Sequence, residues 1–311
     1  MFDSILRTVI PIYLLMGLGF LSRKIGILRA GDERILSAYV YYFALPALLF
    51  IDLAELPIER VDVNFIIAGI TPIIITVSIY LMLYYLLHFS RDTFYLLILS
   101  TVFGSLAFFG IPFVMFSLSS EAEFLATIAV SSISLIGVFI SIFVLEFYTM
   151  KDTSILIGLK RTLTRLSKNP LILSILIGLF ISSLNVDIPR YIYTPIRMLG
   201  GTTATVAIFM LGVFLYGRRY TNLNYALKLS MLRIVLLPSI ALLIAALFNL
   251  SRTPAAVLLI MHNVPVAVSM MVLSERYNFH KETIASLILV SSVGAAVYIN
   301  LWLLILNLLW G

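Results

Sequence analysis

Phe103-Gly104-Ser105-Leu106-Ala107-Phe108-Phe109-Gly110-Ile111-Pro112 sets two glycines and a proline inside an apolar run long enough to cross a lipid bilayer. His262-Asn263-Val264-Pro265 does the same to a second run, with three polar or helix-breaking residues in four. Proline removes an amide donor and clashes with the preceding turn, and glycine in a helix interior costs about 1 kcal/mol. Gly104 lies about 12 residues into its run and Pro265 about 12 into the other, so at 1.5 Å per residue each predicted break sits roughly 18 Å deep. That is near the middle of a bilayer.

The surrounding composition supports a membrane reading. Of 311 residues, 61% are hydrophobic and 12% charged, against about 25% charged in a soluble domain. The apolar residues form successive runs, most beyond the ~18 residues that mark a span. No soluble interior hides that much apolar surface, so lipid is expected to solvate much of it. The first run has no cleavage-site pattern and reads as a retained span. The absence of cysteine excludes disulfides, iron–sulfur clusters and thiolate zinc sites. The net charge of +6 reads as loop Lys/Arg that sets orientation, not as a nucleic-acid surface.

Hydropathy predicts ten transmembrane helices: 5–21, 35–53, 65–87, 93–118, 124–150, 171–184, 195–216, 231–250, 254–273 and 283–310, the sixth short and extending back toward 166. Loops after odd-numbered spans carry 16 of the 21 basic residues. These are Arg23, Lys24, Arg29, Arg34, Arg91, Lys151, Lys160, Arg161, Arg165, Lys168, Arg218, Arg219, Lys228, Arg233, Arg276 and Lys281. Arg7, Arg60, Arg190, Arg197 and Arg252 lie on the other side, with acidic residues such as Asp52, Glu55 and Glu59. The positive-inside rule therefore puts both termini outside.

The basic segment 151–169 divides the chain into a first five-helix half, 1–150, and a second, 170–311. Five is odd, so the halves are inverted in topology. Thr127-Ile128-Ala129 recurs as Thr283-Ile284-Ala285, and Ser131-Ser132 as Ser291-Ser292. The expected fold is thus an all-α polytopic membrane protein, an inverted 5+5 repeat with helices 4 and 9 broken. Breaks at matching depth in corresponding spans of such a repeat point to a midplane substrate site.

Half-helix N-termini present free N–H groups and about half a positive charge, which suits a carboxylate. Ser105 and Asn263 can donate hydrogen bonds there. His262 reads equally as proton carrier or anion ligand, and as a neutral histidine bonded to a carbonyl. Ser131, Ser132, Ser291 and Ser292 read as packing residues. Glu146 and Arg233 read as residues near inner helix ends that snorkel to the interface. No carboxylate pair or nucleophile constellation suggests an enzyme, and no Walker-type loop suggests ATP drive.

Val9-Ile10-Pro11-Ile12-Tyr13, Phe43-Ala44-Leu45-Pro46-Ala47-Leu48-Leu49-Phe50, Gly110-Ile111-Pro112, Pro265 and Glu275-Arg276-Tyr277-Asn278 occur in the order and span positions of one family. Over nearly its whole length the chain resembles the auxin efflux carriers, the PIN-like family, in their prokaryotic form. The resemblance implies that helices 4 and 9 cross as an X. It implies a scaffold of helices 1, 2, 6 and 7, often a dimer contact, and a transport domain of helices 3–5 and 8–10 that moves like an elevator. Bile acid–sodium symporters share a similar fold. Relatives of the prokaryotic kind are thought to move carboxylates such as malate or malonate. One departure is Ser105, where plant members carry Asn.

The reading that results is a secondary-type carrier of small organic anions in the cell membrane, needing no resident cofactor. Ser105, His262, Asn263 and Leu49 are the candidate substrate residues. Gly104, Gly110, Pro112 and Pro265 make the crossover, and Pro46 is a scaffold kink. A sodium- or proton-coupled symporter stays open, as does a sensor or channel using the same pocket.

Overall fold

A computed structural model describes residues 2–55, 62–149, 160, 163–164, 167–184, 186–218 and 220–310. Among these, every regular element is helical. Most of the basic segment 151–169 lies outside the described residues, as do Glu59, Arg60 and Arg219 of the charged loops. Among the described residues five helices are long and apolar enough to cross a membrane by themselves, and a sixth is so as a bent pair.

The first compact unit comprises Met1–Val63, Ala107–Ser131 and Ser167–Arg218. It holds α1 (Phe2–Lys24) and α2 (Asp32–Ala54). The second comprises Asn64–Leu106, Ser132–Leu166 and Arg219–Gly311. It holds nearly all of α3 (Val63–Leu87) and the whole of α4 (Arg91–Val102). α5 (Leu106–Ser117) belongs to the first unit from residue 107 on, and α6 (Ser120–Thr149) starts in the first unit and ends in the second. α7 (Pro170–Ser183) and α8 (Arg190–Leu215) belong to the first unit. α9 (Leu223–Leu247), α10 (Arg252–Asn263), α11 (Ser269–Tyr277) and α12 (Lys281–Trp310) belong to the second.

Small residues bring helices of the first unit close, the packing that serves where lipid removes the hydrophobic drive between helices. A β-carbon on Gly19 would strike the Phe209 carbonyl, and one on Gly212 the Met16 carbonyl, so α1 and α8 touch backbone to backbone at two points. Gly178 approaches the Phe50 carbonyl of α2 in the same way. Arg197 pairs with Asp52 at 2.6 Å, and Thr127 donates to the same carboxylate at 3.2 Å. Exposed apolar side chains such as Leu14, Leu18, Leu176 and Phe180 in this unit, and Ile67, Ile74 and Leu81 in the other, are those of helices solvated by lipid.

Among the described residues three helices carry a widened turn just before a proline: Val40–Ala44 before Pro46, Leu106–Gly110 before Pro112 and Leu232–Leu236 before Pro238. Leu45 N–H reaches back to the Val40 carbonyl and Leu237 N–H to that of Leu232, five residues each. The wide turn accommodates a residue that cannot donate and whose ring crowds the turn before it. Pro238 leaves the Ile234 carbonyl without its usual helical donor, and the Trp302 indole of α12 supplies one at 2.8 Å.

α7 starts at Pro170, within one residue of the expected 171, where Asn169 caps it, its side chain accepting from Leu171 N–H at 2.9 Å. Two helix starts differ from the sequence expectation. α8 starts at Arg190, five residues earlier than expected. α9 starts at Leu223, eight residues earlier, after Asn222 in the left-handed region. That shift moves Arg233 from a helix end to ten residues inside α9, about 15 Å along it. Arg233 is 1% exposed and Glu146 is 2% exposed, so neither snorkels. Glu146 accepts from the Tyr277 hydroxyl at 2.6 Å.

Candidate functional site

α4 and α10 are each twelve residues long, and each begins Ser-Arg, at Ser90-Arg91 and Ser251-Arg252. Both serines take the extended conformation of a helix N-cap, and Ser90 accepts from Thr93 N–H at 3.2 Å. α4 ends at Val102, before a tight turn in which Gly104 N–H reaches the Val102 carbonyl at 3.1 Å around Phe103 (φ −86°, ψ 79°). α10 ends at Asn263, with Val264 extended (φ −66°, ψ 154°).

The two interruptions pair with each other. Gly104 and Val266 form an antiparallel bridge. Ser105 N–H donates to the Pro265 carbonyl at 2.9 Å, and Ala267 N–H to the Phe103 carbonyl at 3.0 Å. Val266 N–H turns outward to the Ser291 hydroxyl of α12 at 3.1 Å. Backbone freed from helix at this depth must be satisfied by protein or water, and here each break satisfies part of the other. Ser291 is therefore a clasp on the bridge and not only a packing residue. Its own carbonyl accepts from the Tyr298 hydroxyl at 2.9 Å, just before α12 bends by 52°.

Arg233 closes the back of the bridge. Its Nε donates to the Val264 carbonyl and its Nη1 to the Thr101 carbonyl. Thr101 in turn shares a hydroxyl hydrogen bond with Tyr80 of α3 at 2.8 Å. A β-carbon on Gly104 would run into the Arg233 guanidinium, which is why this position is glycine.

The last two residues of α10 differ sharply in how their polar atoms are used. The His262 ring, 1% exposed, donates from Nε2 to the Gly69 carbonyl of α3 at 2.8 Å. Asn263 is 0% exposed, and among the described residues neither its amide nitrogen nor its oxygen has a hydrogen-bond partner. Ser105 is 6% exposed. The structure thus joins Gly104 and Ser105 to Pro265, next to His262 and Asn263. Gly110 ends the widened turn of α5 and Pro112 sits in its next turn, five to seven residues past Ser105 and within the first unit. Pro46, half-buried, and Leu49, buried, also belong to the first unit.

Sequence reasoning missed Arg233, Thr101 and Tyr80. A signal for Arg233 was present: Ala226, Leu229 and Ser230 continue one buried face upstream of Met231, which carries the helix back past its apolar core.

Paired helix breaks among long apolar helices define a multi-pass membrane protein of the transporter class. Residues 4–303 match the family model described as "Membrane transport protein", and the chain belongs to that family, the auxin efflux carrier or PIN-like family. It is similar to an uncharacterized transporter of Methanocaldococcus jannaschii, 24% identical over 303 residues, covering 94% of this chain and 96% of that protein.

Proposed function

We propose that this transporter carries small organic anions, carboxylates in the first instance, at the paired breaks. Asn263 carries the reading. A buried amide with both ends unbonded costs about 1–3 kcal/mol in desolvation per group. Such a cost is sustained where a ligand completes the bonding, and Asn263 ends α10 two residues before Pro265, whose carbonyl accepts from Ser105 N–H. The amide N–H and the Ser105 hydroxyl donate to the carboxylate, and the N-terminal ends of α5 and α11 lend it positive potential.

Ten spans in an inverted 5+5 repeat suit this role. The Ser-Arg starts and equal lengths of α4 and α10 support the repeat, since they fall in spans four and nine. In this reading α1, α2, α7 and α8, with Pro46 and Leu49 among their residues, form the scaffold and the dimer contact. The remaining spans form the part that moves by an elevator mechanism. The protein resides in the cell membrane with both termini outside. The membrane potential, worth about 2.3 kcal/mol per charge at 100 mV, suffices to expel an anion.

A thermal-shift screen of the purified full-length chain against malonate, malate and larger carboxylates tests the proposal. Stabilisation by a carboxylate, absent in Asn263→Ala, is the expected result. Carboxylates that shift neither protein would rule the site out, and binding without flux in liposomes would mark a sensor.

A further inference from the structure

We infer that Arg233 is the resident counter-cation of the paired breaks, a positioning residue that holds the carbonyl ends of both half-helices together. α4 and α10 each arrive at the bridge with their C-terminal ends. Each such end carries about half a negative charge, about one in total, and a single guanidinium balances it. Among the described residues no carboxylate stands within ion-pair distance of Arg233. Its partners are the Thr101 carbonyl from the last turn of α4 and the Val264 carbonyl that follows α10.

The chemistry selects arginine. Its planar fork directs Nε and Nη1 at two acceptors at once, whereas a lysine ammonium is a compact point charge on a flexible stem. Its place follows from the widened turn Leu232–Leu236, in which it sits. Gly104 leaves the space that the guanidinium fills. With both named donors bound to carbonyls and the side chain 1% exposed, Arg233 acts on substrate through the shape of the bridge. The inference rests on the carrier reading only for its consequence, namely that the bridge holding Ser105 beside Pro265 is set by a built-in charge.

The test uses melting of the purified full-length chain and needs no substrate, so it stands or falls separately from carboxylate binding. Arg233→Ala, in choline chloride, melts several degrees below the unsubstituted protein. Low-millimolar guanidinium, far below denaturing levels, restores most of that loss by occupying the vacated site. Arg197→Ala, the control, gains nothing from guanidinium. A variant that melts unchanged, or whose loss guanidinium does not repair, overturns the inference. If Arg233→Ala fails to fold, Arg233→Lys and Arg233→Gln decide between charge and mere hydrogen bonding. A counter-cation requires Lys to melt above Gln, and Gln equal to or above Lys contradicts it.

Discussion

The Arg233 guanidinium occupies the space into which a β-carbon on Gly104 would project. One residue comes from a helix break and the other from the middle of α9, and each accounts for the other. A side chain at 104 would displace the charge that ties the Thr101 and Val264 carbonyls.

Gly104→Ala should therefore destabilise the second unit although alanine favours helix and extended chain over glycine. Overpacking of this kind costs about 1–3 kcal/mol. Gly17→Ala is the matched control, because nothing lies within 4 Å of its added carbon, and helix propensity predicts a gain of up to about 1 kcal/mol there. Thermal melts of the two variants should move in opposite directions.

Asn263→Ala removes an amide that makes no hydrogen bond to the described protein. Its stability should stay within about 1 kcal/mol of the starting protein, since the small cavity offsets the loss of an unsatisfied buried group. Carboxylate-induced stabilisation should disappear. A variant that melts much earlier would instead show that the amide has a structural partner.

His262 is committed to the Gly69 carbonyl. His262→Gln keeps a donor within reach and should retain fold and flux, whereas His262→Leu leaves that carbonyl unsatisfied and should cost about 1–3 kcal/mol. Loss of flux in the Gln variant, with the melt unchanged, would give the imidazole a role beyond this bond.

Trp302→Phe keeps an aromatic ring, though a smaller one, but takes the donor from the Ile234 carbonyl, which Pro238 cannot supply. A destabilisation of about 1–3 kcal/mol is expected in melts. The Trp310→Phe change, removing the bond to the Leu250 carbonyl near the end of the chain, should cost less because that end has access to water.

Much of this architecture was legible because lipid imposes long apolar runs, and because Gly104 and Pro265 cannot sit quietly in a helix. The start of α9 was not, since Leu223–Ser230 contains Asn224 and Lys228 and so falls below the hydropathy of a span. That hid the depth of Arg233. Gly110 and Pro112, read as part of the same break as Gly104, lie beyond it inside α5, where the widened turn Leu106–Gly110 accommodates the proline. The bridge between Gly104 and Val266 is made by backbone alone and leaves no side-chain pattern to read.

Uptake of labelled malonate or malate into liposomes containing the purified chain, compared with Asn263→Ala at equal incorporation, tests the central claim most directly. The account predicts saturable uptake by the unsubstituted protein and none above empty liposomes for the variant. Equal uptake by both proteins would contradict it.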